Sequence, residues 1–233
     1  MSLAIVYTRA ALGIEAPLIT VEVHLSNGLP GLTMVGLPET TVKEARDRVR
    51  SALINSGYAF PAKKITINLA PADLPKEGGR YDLPIALALL VASEQLNTTR
   101  LNQYEFVGEL ALTGGLRGVP GAIPSAMEAI KAGRRIVVSA DNAAEVGLIG
   151  GSDCLVADHL QEVCAFLAGQ TSLSPPLAEA PTVDERGEDL RDVIGQQQGK
   201  RALEIVAAGG HNLLLIGPPG TGKTMLASRL PGL

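Results

Sequence analysis

The chain has 233 residues, 46% of them apolar and a formal net charge of −4. That length and apolar content predict one or two globular domains with a sizeable core and exclude a disordered chain. The charge provides no global field for attracting nucleic acid, so any such site must be a local patch or a pore built by several subunits.

Aromatic residues make up 3% of the chain and Trp is absent. The core must therefore come from Leu, Ile, Val and Ala. Residues 2–12 read as a strand. Ile19, Val21, Val23 and Leu25 alternate with Thr20, Glu22 and His24, which predicts a half-buried strand. After the turn residues Asn27-Gly28 and Pro30-Gly31 comes a third strand, Leu32 to Val35, so the first 35 residues read as an antiparallel meander. Pro38-Glu39-Thr40 opens a helix whose inner face carries Val42, Ala45, Val49, Ala52 and Leu53, with Lys43–Asp47 and Glu44–Arg48 as opposite-charge pairs one turn apart. Gly57 stops it, and Lys64 to Leu69 alternates as a strand.

Lys76-Glu77-Gly78-Gly79-Arg80 is a polar loop. Asp82 is predicted to cap the next helix, with Pro84 in its first turn. The stretch Leu83 to Glu94 is apolar on most sides, as a central buried helix would be. Glu105 to Thr113 reads as one strand, with Phe106, Gly108, Leu110 and Leu112 on one face and Glu105, Val107 and Glu109 on the other. Gly114-Gly115 turns it back. Pro124–Ala132 (helix), Ile136–Ser139 (strand), Asn142–Ile149 (helix), Cys154–Ala157 (strand) and Leu160–Ala168 (helix) then alternate, which favours parallel or mixed pairing. The fold class is α/β of mixed α+β character.

Cys154 and Cys164 have apolar neighbours and no Cys-x-x-Cys spacing, which predicts buried free thiols. His24, His159 and His211 are isolated, so no metal site made by protein ligands alone is expected. The N-terminus lacks a charged region and a cleavage site, and the longest apolar stretch, Leu83 to Ser93, is too short to span a bilayer. A cytoplasmic protein is the expectation.

Pro, Ser, Thr and Glu dominate residues 171–189, which read as a linker between a domain at 1–170 and a second module at 190–233. Each part carries a slight acidic excess. The second module holds the most specific signal. After the apolar run Leu213 to Ile216 come Gly217, Pro218, Pro219, Gly220, Thr221, Gly222, Lys223 and Thr224. This is the phosphate-loop pattern of Gly, four residues and Gly-Lys-Ser/Thr, between an expected strand and an expected helix. Glycines let successive amides point inward at anionic oxygens. Lys223 is placed to reach the β- and γ-phosphates of ATP, and the Thr224 hydroxyl to hold Mg2+.

Asp192-Val193-Ile194-Gly195-Gln196, upstream of that loop, resembles the entry to an AAA+ ATPase module. Pro30 to Pro38, Asn68 to Lys76 and Gly108 to Leu112 resemble the amino-terminal domain of the magnesium-chelatase-related YifB/ComM family. The resemblance covers essentially the whole chain. It implies a Lon proteolytic-domain-like fold, also akin to the second domain of a small-subunit ribosomal protein, followed by the first β-α portion of an AAA+ module. It implies that Val193, Ile194, Gly195 and Gln196 pack on the adenine, that the parent forms a ring hexamer, and that it is an ATP-driven motor promoting DNA branch migration. The alternatives are an ATPase subunit of a magnesium-chelatase-type metal-insertion complex and a non-enzymatic assembly module.

The Lon likeness raises proteolysis. The position matching the Lon nucleophile falls near Asp82, and no Ser or Thr occurs from Lys76 to Val91. A Ser–Lys pair needs both groups in reach of each other, so no protease is expected. The AAA+ likeness implies that the acidic Walker B pair, the sensors and the arginine finger lie beyond Leu233. The 233-residue piece is therefore expected not to hydrolyse ATP; residues 190–233 alone are expected to bury little surface. For DNA, Arg46, Arg50, Lys63, Lys64, Arg134 and Arg135 are the candidate basic patch, set against the plainer reading of solvated charges beside Glu44 and Asp47.

Overall fold

Alternating β-branched and polar residues build the first half of the sheet. The computed structural model describes residues 3–36, 44–149, 152–176 and 188–233, which divide into two compact units, 1–179 and 180–233. In the first unit, β1 (Leu3–Arg9) and β2 (Leu18–Ser26) form an antiparallel pair with Leu3 opposite His24 and Arg9 opposite Leu18. Ile19, Val21, Val23 and Leu25 are buried, as their spacing predicts.

The meander does not continue. β3 (Gly31–Val35) pairs in parallel with β4 (Lys64–Ala70), and β4 lies between β3 and β2. The intervening helix α1 (Ala45–Asn55) makes this parallel pairing possible, because parallel neighbours need a crossover longer than a hairpin turn. The expected opening of that helix at Pro38-Glu39-Thr40, with Val42 and Lys43, lies outside the described residues. From Ala45 onward the expected inner face is buried: Ala45, Val49, Ala52 and Leu53.

α2 (Asp82–Ala92) is the centre of the unit. Ten of its eleven residues are buried, so it packs all round instead of presenting one stripe. Asp82 does not cap it. The N-cap position is Tyr81, and Asp82 is the first helical residue, fully buried, with its carboxylate turned to Arg48 and to the Leu110 amide. Arg48 thus points inward to Asp82, where the helix pattern suggested a surface partner in Glu44.

The strand expected over 105–113 is broken. β5 (Tyr104–Phe106) joins the main sheet beside β1, while β6 (Glu109–Leu110) pairs with β7 (Leu116–Arg117) in a separate ribbon. Between them the Gly108 amide donates to the Arg80 carbonyl at 3.2 Å and its carbonyl accepts from Leu83 at 3.1 Å. These bonds turn the chain away from the sheet. Leu112, expected inside, is 55% exposed. Glu105, expected on a polar face, is fully buried and accepts from Arg9 at 2.6 and 2.7 Å and from Arg134 at 2.9 Å.

The rest follows in alternation: α3 (Ala122–Lys131), β8 (Arg135–Ser139), α4 (Ala143–Gly147), β9 (Cys154–Ala157) and α5 (Leu160–Leu167). The sheet order is β3-β4-β2-β1-β5-β8-β9, and four of its six neighbouring pairs are parallel. Mixed α/β is therefore the observed class. Ile136, Val137 and Val138 of β8 are buried in succession because the sheet is covered on both faces there. One core contains α2 and the other contains Ala122, Ala126 and Ala129 of α3. Cys154 and Cys164 are buried free thiols, as expected, and burial pushes both up, Cys164 to about 11. Among the described residues no helix is long and apolar enough to cross a membrane.

The second unit begins with a short turn, Leu190–Asp192, capped by Asp189. It continues with α6 (Gln197–Gly209) and α7 (Lys223–Ala227). Leu190, Val193, Leu203 and Leu226 form its small core. The apolar run Leu213 to Ile216 is not a strand. Leu214 is 78% and Ile216 84% exposed, because no strand among the described residues of this unit lies beside it to pair its amides and carbonyls.

Candidate nucleotide site

The phosphate-loop residues form a tight turn leading into α7. Gly220 and Gly222 both have φ near +82°, a left-handed conformation that a side chain resists. A Cβ at Gly222 would stand 3.3 Å from the Met225 terminal methyl, and one at Gly217 3.3 Å from the Thr221 hydroxyl. Local sterics therefore account for glycine at these positions.

The Lys223 ammonium folds back over the loop. It donates to the Gly217 and Pro218 carbonyls, both at 2.8 Å, and lies 3.4 Å from Thr221 Oγ1, which itself donates to Pro218 at 2.9 Å. All these partners are neutral. Its charge is not matched by a carboxylate among the described residues, which leaves it available to an anion in front of the loop. Thr224 follows in the first turn of α7 with an exposed side chain. The donor set of Lys223, loop amides and one hydroxyl is the kind that fits a polyphosphate with a hard cation.

The upstream segment meets the loop. Gln196 Nε2 lies 3.4 Å from the Thr221 carbonyl, and Gly195 and Gln196 both adopt positive φ, which turns the chain sharply before α6. Ile194 is 96% exposed beside this turn, whereas Val193 points into the small core with Leu203 and Leu226. Of the apolar pair, only Ile194 is thus presented to a ligand. Pro218 and Pro219 are exposed.

The six basic residues do not make one surface. Arg46, Arg50 and Lys63 line a single cleft beside Phe60, with Lys64 exposed next to it. Arg135 begins β8 and Arg134 precedes it, four strand spacings from β4, or roughly 19 Å. Arg134 is ion-paired to buried Glu105 and lies 4.7 Å over the Tyr7 ring, and Arg135 donates to the Ser152 carbonyl. Those two are structural. Phe60 was not legible as part of the patch, since nothing in the local sequence ties it to Arg50.

Three charged residues of the loop at 76–82, Lys76, Arg80 and Asp82, turn inward, while Glu77 is exposed. Lys76 is fully buried and donates to the Pro71 and Leu74 carbonyls; burial lowers its pKa. Arg80 donates to the Arg9 and Pro120 carbonyls, and burial lowers its pKa too. Burial pushes the Asp82 carboxyl up to about 6, while the bidentate bonds from Arg48 oppose the rise.

Comparison with known proteins shows the family. The family described as subunit ChlI of Mg-chelatase matches residues 21–142, and magnesium chelatase subunit ChlI matches residues 189–233. Over its whole length the chain is 77% identical to the uncharacterized protein YifB of Salmonella typhimurium and 75% identical to that of Escherichia coli. It is 59% identical to the competence protein ComM of Haemophilus influenzae. The chain spans about half of these relatives, 46–47% of their length. With both units matched and the identity sustained from end to end, the chain belongs to the magnesium-chelatase-related YifB/ComM family.

Proposed function

We propose that the protein of which this chain forms part is an ATP-driven motor that processes DNA, and that residues 217–224 hold the phosphates of its nucleotide. The observation that carries the nucleotide site is Lys223, tied only to neutral oxygens over a glycine turn. In this reading Lys223 holds the β- and γ-phosphates, Thr224 holds Mg2+, and Gln196 and Ile194 border the base. Bound Mg-ATP supplies a phosphoryl group whose transfer to water drives the motor. The AAA+ identity of the second unit, the Lon-like identity of the first and the ring hexamer belong to the same proposal. Proteolysis does not, because on the Lon likeness the nucleophile's position falls near Asp82, which is held by Arg48 and the Leu110 amide.

DNA enters through the relative named a competence protein. The second reading, an ATPase subunit of a metal-insertion complex, is supported by the family descriptions matching both units. ATPase turnover of the full-length protein separates them. Stimulation by branched DNA supports the motor, and stimulation only by a porphyrin-binding partner supports metal insertion.

The site itself is tested on this chain. Titration with a fluorescent ATP analogue and Mg2+ is expected to give saturable binding that Lys223→Ala weakens by about tenfold or more, as the loss of a charge-assisted contact predicts. Equal binding by both proteins would remove the assignment.

A further inference from the structure

We propose that the cleft between α1 and the β3–β4 edge of the first unit grips the phosphate backbone of a nucleic-acid strand. The choice of nucleic acid rests on the motor reading above; the cleft stands on its own geometry. Three separate segments build it, contributing Gly31 and Leu32, Arg46 and Arg50, and Phe60 and Lys63. Its volume is about 190 Å3, and among the described residues that line it three side chains are cations and none is a carboxylate.

Arg46 and Arg50 differ from the other arginines of the unit, each of which has an ion-pair or hydrogen-bond partner. Arg80 donates to the Arg9 and Pro120 carbonyls, Arg100 to the Phe166 carbonyl and the Tyr104 hydroxyl, and Arg135 to the Ser152 carbonyl. Arg9 and Arg134 share buried Glu105, Arg48 is bonded to buried Asp82, and Arg117 lies 3.6 Å from Glu109. Among the described residues, Arg46, Arg50 and Lys63 take part in no ion pair. Glu94 acts on Lys63 only through space. Arg46 and Arg50 stand one helical turn apart with Cβ atoms about 6 Å from each other, a like-charge spacing that weakens an isolated helix. The like-charge spacing itself works against folding, and a polyanion bridging the two arginines relieves it.

The cleft also selects among anions. It is smaller than the roughly 300 Å3 at which small-molecule pockets begin, so it admits a phosphate but not a whole nucleotide. The Arg50 guanidinium lies 5.4 Å over the Phe60 ring, which orients the arginine and covers the face on which a base would stack. Contacts therefore fall on the backbone and are indifferent to sequence. Arg46, Arg50 and Lys63 are three cations lining one cleft and placed to meet successive phosphates of one strand, whereas free phosphate meets one or two of them.

The test uses the full chain and a fluorescein-labelled single-stranded oligonucleotide, read by anisotropy at several salt concentrations without added nucleotide. Binding is expected at low salt. Replacing Arg46 and Arg50 together by Ala is expected to weaken it about tenfold and to flatten the log–log salt slope by about 1.4, the value for two lost single-strand phosphate contacts. Arg191→Ala with Arg201→Ala removes the same charge from exposed positions of the second unit and is expected to leave binding unchanged. Lys63→Gln, which lies outside α1, is expected to weaken binding as well and keeps the test decisive should the double variant fail to fold. No binding at low salt overturns the proposal, as does equal weakening by the control pair. Competition by inorganic phosphate as strong per phosphate as that of unlabelled oligonucleotide would make this a small-anion site, and equal competition by polyglutamate would make it a site for acidic protein; either also overturns it. Nucleotide binding at Lys223 is scored separately, so loss of this inference leaves that site standing, and the reverse.

Discussion

Asp82 shows how one buried carboxylate links the sequence to a measurable property of the fold. It starts the central helix, accepts from Arg48 at 2.7 and 3.1 Å, and has no exposed side-chain surface. Burial is the larger influence and lifts its pKa from 3.8 to about 6. Because the folded value lies above the unfolded one, the folded state holds the proton more tightly. The stability this group contributes is complete below pH 3.8 and is lost as pH rises through 6. A rise of about two units corresponds to about 3 kcal/mol. Urea unfolding of the chain and of Asp82→Asn at acid and neutral pH measures it. Relative to the variant, the native chain is expected to lose about 2 kcal/mol of that between pH 4 and pH 7, the remainder being lost mostly below pH 4. A difference that does not change with pH would show that Arg48 cancels the burial. None of this was legible beforehand: a residue opening an apolar helix reads as a cap, and its partner Arg48 lies 34 positions away.

Elements were legible where one face meets water, and their order was not. The alternation in β2 and β4 is the direct imprint of a sheet half covered on one side, and the apolar length of α2 is that of a helix covered on all sides. By contrast, β3 follows turn residues that suit a hairpin, yet it pairs with β4 beyond α1. Local turn chemistry carries no information about which strand lies alongside. The break at Gly108 has the same cause, since it is made by bonds to Arg80 and Leu83 on another element. The phosphate-loop motif is legible because its eight residues are contiguous; of the basic cleft, assembled from three segments, the cations Arg46, Arg50 and Lys63 were legible but their separation from Arg134 and Arg135 and the place of Phe60 were not. The central role of α2 has a direct test. Leu87 is fully buried, and Leu87→Ala is expected to lower unfolding stability by about 2–5 kcal/mol. Ile54→Ala, at a 51% exposed position near the end of α1, is expected to change it by less than about 0.5 kcal/mol. Chemical denaturation of the two variants side by side checks the contrast.

On the scale of the whole chain, the two units differ in how their backbone groups are satisfied. The first unit carries a seven-stranded sheet enclosed by two cores, and its inner strands are paired on both edges. The second gathers four buried side chains around α6 and α7 and leaves Leu214 and Ile216 exposed, with no neighbouring strand among the described residues. Amide exchange is governed by the opening of each hydrogen bond, so it follows this difference and not the hydrophobicity of the segment. Amides of Val21, Val23, Ile67 and Leu69 are bonded between strands and fully buried, and are expected to exchange only with opening of the sheet. Amides of Leu213 to Ile216, equally apolar in sequence, are expected to exchange at the rate of an unfolded peptide, because no backbone acceptor bonds them among the described residues. Hydrogen–deuterium exchange with peptide-level mass spectrometry reads both segments in one experiment. Protection of residues 213–216 comparable to that of β2 and β4 would mean that this run pairs with a strand of another copy in solution. Its slow phase would then depend on protein concentration, whereas exchange in the first unit would not.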